Sequence, residues 1–111
     1  MTIQQAIKLA KENKVIEINY TNEENGFKGT RRIRIFNVGL SLTGLQCIRV
    51  FQYSGASFSN QPINTWKLLL LKNINSYRDL GVDQLYINSR PPLYSFSGDL
   101  GMVRVDFLKG L

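Results

Sequence analysis

The sequence contains no histidine and only one cysteine, Cys47, among its 111 residues. Without histidine, the commonest general base and the commonest metal ligand are both missing. A lone cysteine makes neither an internal disulfide nor a thiolate metal site, so nothing argues for an oxidising compartment. Long apolar runs are absent too. The longest, Leu68 to Leu71, is four residues, against the ~20 a spanning helix needs. No apolar stretch of a secretory leader follows Lys8 and Lys11. The expectation is a protein with no membrane contact, cytoplasmic in a bacterial cell or an infected host. The most informative absence is of acidic residues: none occurs between Asn25 and Arg78.

That same segment holds eight basic residues, Lys28, Arg31, Arg32, Arg34, Arg49, Lys67, Lys72 and Arg78. All eight carboxylates of the chain lie outside it, and the net charge is +6. Folded as one unit, such a segment carries a one-signed field that concentrates anions. The partner it suits is a nucleic acid, a nucleotide or an acidic protein surface. A composition of 43% hydrophobic and 20% charged residues belongs to a globular domain with one hydrophobic core.

Catalytic machinery is sparse. Asp99 and Asp106 are the nearest approach to paired carboxylates, and their spacing defines no site. Gly26-Phe27-Lys28-Gly29 lacks Walker spacing and reads as a hairpin tip. The expectation is a non-enzymatic protein with no metal and no cofactor.

The pattern of apolar residues predicts one helix and then strands. Thr2 followed by Gln5 is a capping box, with Ile3, Ala6, Ile7 and Ala10 on one face and Asn13 as the end. Val15–Tyr20 is β-branched and alternating, and Thr21 to Gly29 has turn composition. The next strand sets Ile33 and Ile35 against Arg32 and Arg34. Val38–Leu42 reads as a separate short strand, with Thr43-Gly44 as a tight connection. Leu45–Gln52 puts Gln46, Ile48 and Val50 opposite Cys47, Arg49 and Phe51. Tyr53 to Asn64 reads as loop, Thr65–Leu71 as a core strand and Asn73–Asp79 as a short helical turn. Arg90-Pro91-Pro92 is extended, Ser97-Gly98-Asp99 a turn, and Met102–Leu108 a strand. One helix followed by about five short strands predicts a mainly β protein, a small closed or half-closed SH3-like (Sm-like) β-barrel with an N-terminal helix. Residues 1–80 would form the barrel. Residues 81–111 would be a C-terminal extension, packed on it or at an oligomer contact.

Several residues suit an anionic ligand. Arg32 and Arg34 share a strand face, and guanidinium forks fit phosphate oxygens bidentately. Arg49 stands mid-strand between Cys47 and Phe51, in a run otherwise fit for a core. It must reach an edge, an external anion, a backbone carbonyl or a distal Asp or Glu. Tyr20, Tyr53 and Trp66 could stack on bases or pack in the core. Ser57 and Ser59 offer hydroxyls from a Gly/Ser-bearing loop. The apolar tail with Leu93, Tyr94, Phe96, Leu100 and Met102 suits a protein partner or a homo-oligomer contact.

The order of these features resembles the WYL-domain family over about residues 5 to 80. The stretches concerned are Val15–Tyr20, Gly29-Thr-Arg-Arg-Ile-Arg-Ile-Phe-Asn-Val-Gly-Leu40, Gly44-Leu-Gln-Cys-Ile-Arg-Val-Phe-Gln52, Ser54-Gly-Ala-Ser-Phe-Ser59 and Trp66-Lys-Leu-Leu-Leu-Leu-Lys-Asn-Ile74. Tyr20, Arg32 and Arg49 stand where the family pattern has matching residues. The Trp-Tyr-Leu tripeptide falls at Gln46-Cys47-Ile48, and the corner proline at Asn37. The tail is similar to extensions of small stand-alone bacterial and phage relatives. The resemblance implies an SH3-like barrel that senses ligands or binds nucleic acid through arginines and aromatics in a positive groove. Taken with the reading of the residues themselves, the ligand-binding set expected is Tyr20, Arg32, Arg34, Arg49, Ser57, Ser59 and Trp66.

Overall fold

A computed structural model describes residues 1–21, 28–55, 65–82 and 99–109. The expectations for Ser57, Ser59, Tyr94 and the Arg90-Pro-Pro segment lie outside these residues. The protein is mainly β: one helix, α1 (Ile3–Lys11), precedes a six-stranded antiparallel sheet. Its strands are β1 (Val15–Thr21), β2 (Lys28–Ser41), β3 (Gln46–Gly55), β4 (Thr65–Leu70), β5 (Ile74–Asp79) and β6 (Met102–Leu108).

The helix begins as its sequence dictates. Thr2 Oγ1 accepts from the Gln5 amide at 3.1 Å, and Gln5 Oε1 accepts from the Thr2 amide at 2.9 Å. Two otherwise unbonded donors of the first turn are thereby satisfied. The chain leaves α1 through Asn13, whose φ of 55° is a left-handed value that asparagine tolerates. Ala6, Leu9 and Ala10 are buried on the face turned to the sheet.

In the sheet the order is β4-β3-β2-β1-β5, with β6 paired to β2. β2 is one continuous 14-residue strand rather than the two strands expected. Its register with β3 shifts between Ile35 and Asn37, so the chain turns a corner without breaking the strand. β1 pairs with the first half of β2, from Lys28 to Arg34. β6 pairs with the second half, from Asn37 to Ser41. Met102–Leu108, assigned by sequence to the extension, is thus hydrogen-bonded into the same sheet.

Asn73–Asp79 was expected to be a helical turn. Instead Leu71–Asn73 forms a 3-10 turn, and Ile74–Asp79 is a strand on the outer edge of β1. Asn75 and Ser76 are turn formers in isolation, and tertiary pairing overrides them. The Asn75 side chain donates to Asn19 Oδ1 and Thr21 Oγ1 across the pair. That three-residue turn carries the chain from one end of the strand order to the other. It reaches at most about 10 Å, so the sheet is strongly curled. Tyr20, opposite Ile74, accepts from the Leu70 amide at 3.1 Å and ties the two ends together. The sheet is nevertheless open: among the described residues no strand pairing joins β4 to β5. The closed form of the expected barrel is therefore not what these strands make: β4 and β5 each keep one edge without a ladder among the described residues.

Two apolar clusters follow from the alternation. The inner one joins Ile16, Ile18, Tyr20, Ile33, Ile35, Val38, Ile48, Val50 and Leu69 with the helix. The outer one is aromatic, with Phe36, Phe51 and Tyr53 packed with Trp66. Among the described residues, no helix is long and apolar enough to cross a membrane.

Candidate anion-binding site

Register decides which way each basic side chain points. On β2, Arg31 lies opposite Ile18, and Ile33 opposite Ile16. Arg31 therefore shares the inward face with two core isoleucines. Its residue is only 5% exposed, and its guanidinium stacks over the Tyr20 ring at 4.8 Å from the centroid. Its Nε is buried and makes no hydrogen bond among the described residues. Burial pulls the Arg31 pKa below the usual guanidinium value, with the Tyr20 interaction acting in the opposite direction. On β4, Lys67 lies opposite the core residue Val50, so it too faces inward. Burial, and then the charge of Arg31, lower its pKa. Two cations thus share one side of the curled sheet, near enough to feel each other.

β3 closes down beside Arg31 because residue 55 is glycine. Gly55 pairs with Arg31 at a φ of 108°, and any side chain there would run into the Thr30 carbonyl.

Sequence reasoning missed Arg31 as a site residue. The signal was present: if Arg32 and Arg34 oppose Ile33 and Ile35, the same alternation puts Arg31 with the isoleucines. Those it did favour that lie among the described residues, Tyr20, Arg32, Arg34, Arg49 and Trp66, are not brought together. Tyr20 is inward and buried, one ring face under Arg31 and its hydroxyl bound to Leu70. Trp66 belongs to the outer cluster, edge-on to Phe36 at 4.8 Å and to Phe51 at 5.2 Å. Arg32 is exposed and lies 3.8 Å from Glu17, a carboxylate that also meets Arg78 at 3.3 Å. Arg34, buried, reaches Asn13 Oδ1 at 3.3 Å and lies over Phe36. Nearby, Lys109 Nζ donates to the Ala10 carbonyl at 2.7 Å, and burial followed by the Arg34 charge lowers its pKa. Both cations sit at the C-terminal end of α1, where its dipole favours them.

Arg49 takes the distal-carboxylate option left open by sequence. Its Nε and Nη2 donate to Asp99 at 2.9 and 2.8 Å, a bidentate fork on a carboxylate with no exposed side-chain surface. Asn37 Nδ2 donates to the same carboxylate at 3.3 Å, and the Gly101 amide at 2.9 Å. A side chain at position 101 would bring its Cβ to 2.6 Å from Arg49 Nη2, so glycine lets the 99–101 turn dock. Cys47, also on this face, has its thiol pushed up to about 11, chiefly by burial and then by Asp99.

Among the described residues, no group of three or more His, Cys, Asp or Glu could hold a metal ion. No family model matches the chain, and no curated protein or solved structure matches it.

Proposed function

We propose that this chain is a non-enzymatic binding module for an anionic ligand, a nucleic acid or nucleotide, held at Arg31 and Lys67. In this reading the curled sheet is the half-closed SH3-like barrel of a WYL-like module. One observation carries it: Arg31 is only 5% exposed, and its buried Nε lacks a hydrogen-bond partner among the described residues. Burying a charge without such bonds is costly, and native structures rarely leave it so without a use. A phosphate oxygen would supply the missing acceptor, and Lys67 adds a second positive charge on the same side. Arg49 then acts through Asp99 as a structural clasp, and Arg34 as a helix anchor. Arg32 and Arg78 on the opposite face steer the ligand from a distance.

The test is fluorescence polarisation of labelled single-stranded DNA and RNA at two salt concentrations. Binding should weaken steeply with salt, as counterion release requires, and should fall in Arg31→Met. Equal affinity in wild type and Arg31→Met would take Arg31 out of the site.

A second reading, docking on a protein or self-assembly, has its own observation. Leu100 is 94% exposed and Val103 60%, close together at the entry to β6. If this patch is an interface, Leu100→Ser with Val103→Ser should dissolve an oligomer seen by light scattering. Substitution is the appropriate tool because deletion would remove a strand of the sheet.

A further inference from the structure

We infer that the anion recognised at Arg31 and Lys67 is a terminal phosphate, a phosphomonoester, rather than the internal diester of a nucleic-acid backbone. This rests on the reading of that site as an anion-binding one. The charge of the site is what selects. Arg31 and Lys67 both face inward from β2 and β4, and Arg31 is stacked on Tyr20 with an unbonded Nε. A backbone diester brings about one negative charge and two free oxygens. A phosphomonoester brings about −1.5 to −2 at neutral pH and three strong acceptor oxygens. The latter fills the guanidinium fork with two oxygens and keeps a third, with the larger charge, for a second cation.

Topology argues the same way. Arg31 and Lys67 stand on the inward side of the sheet, bounded by its own strands. A chain end or a free nucleotide can enter such a site point-first. An internal diester would have to bring the strand in on one side and out on the other. The outward arginines, Arg32 and Arg78, are partly engaged by Glu17. A contact there would be sequence-independent and indifferent to the phosphate's ester state.

The experiment compares three single-stranded oligonucleotides of one sequence, carrying an internal dye and a 5′-phosphate, a 3′-phosphate or hydroxyls at both ends. A nucleoside 5′-monophosphate and inorganic phosphate serve as competitors. One phosphorylated oligonucleotide should bind roughly ten- to a hundredfold tighter than the hydroxyl form, the worth of one or two charge-assisted hydrogen bonds. Arg31→Met and Lys67→Gln should each erase that difference. Competition by the monophosphate would identify a free nucleotide as sufficient; competition only by the phosphorylated oligonucleotide would identify a strand end. Equal binding of all three oligonucleotides, weakened equally by Arg31→Met, overturns the terminal-phosphate inference and leaves the anion site standing. Binding of none, or binding untouched by both variants, overturns the site itself.

Discussion

Replacing Arg31 and Arg49, one at a time, by methionine should give stability changes of opposite sign. Both are arginines within β-strands, both largely buried, and methionine fills a similar volume without a charge. Arg49→Met removes two hydrogen bonds from Asp99 and leaves that carboxylate buried without its bidentate cation. Breaking one side of a buried ion pair costs about 3–5 kcal/mol. Arg31→Met forfeits the stacking on Tyr20, worth about 0.5–2 kcal/mol. It also removes an unbonded buried donor, whose burial costs about 1–3 kcal/mol. The midpoints favour the variant by about 1 kcal/mol. The two variants should therefore differ by about 4 to 6 kcal/mol. At about 4 °C per kcal/mol for a domain of this size, that is a gap near 20 °C in Tm. Urea unfolding followed through Trp66, the only tryptophan and part of the outer cluster, reads it directly. If Arg31→Met lost as much stability as Arg49→Met, Arg31 would be a structural residue with a partner, and its assignment as a ligand group would fail.

Cys47 supplies a pH signature: its thiol titrates near 11 when folded and near 9 when unfolded. The unfolded chain releases that proton first, so the contribution is full below about pH 9 and lost between about 9 and 11, at up to about 1.4 kcal/mol per pH unit. Denaturant midpoints of wild type and Cys47→Ala should converge over that window, and parallel curves would contradict the buried thiol. Gly101→Ala should cost about 1–3 kcal/mol by pushing on Arg49 and on Leu68, 3.1 Å from the added carbon. A neutral result in thermal melts would mean that the 99–101 turn is not held as tightly as its bonds imply. Thr2→Ala should cost about 0.5–2 kcal/mol through the lost cap, seen as faster amide exchange in the first turn of α1.

Local chemistry made parts of this fold legible in advance. The capping box at Thr2 and Gln5, the alternation in β1 and β3 and the strand at Met102 all depend on neighbours within a few residues. What depended on distant partners was not legible. Asn75-Ser76 becomes a strand only because β1 offers an edge. Phe36-Asn37 reads as a break but is a bulge, since both halves of β2 find partners, β1 for one and β6 for the other. Asp99 meets Arg49 across 50 residues, and no spacing rule announces such a pair. At Arg34, alternation with Ile33 and Ile35 suggested an outward, ligand-facing residue. The aromatic cluster makes that second face a buried one, and the guanidinium ends over Phe36 beside the end of α1.

The eight cations of the acid-free segment suit an anionic partner, and the fold separates them. Asp99, brought in from beyond the segment, takes Arg49. Glu17, from before it, lies between Arg32 and Arg78. The C-terminal end of α1 gathers Arg34 with Lys109. Each of these has a packing or pairing reason that needs no ligand. Arg31 does not. At an inward position between Gly29 and Ile33, a leucine or methionine would fill the space and leave no donor unbonded. An arginine there buries an unbonded donor, a cost that the stacking on Tyr20 only partly offsets. An anion bound between it and Lys67 would supply the missing acceptor, and would make the folded protein more resistant to unfolding in phosphate than in chloride at equal ionic strength by a margin that shrinks in Arg31→Met, since the general salting effect of phosphate is common to both proteins.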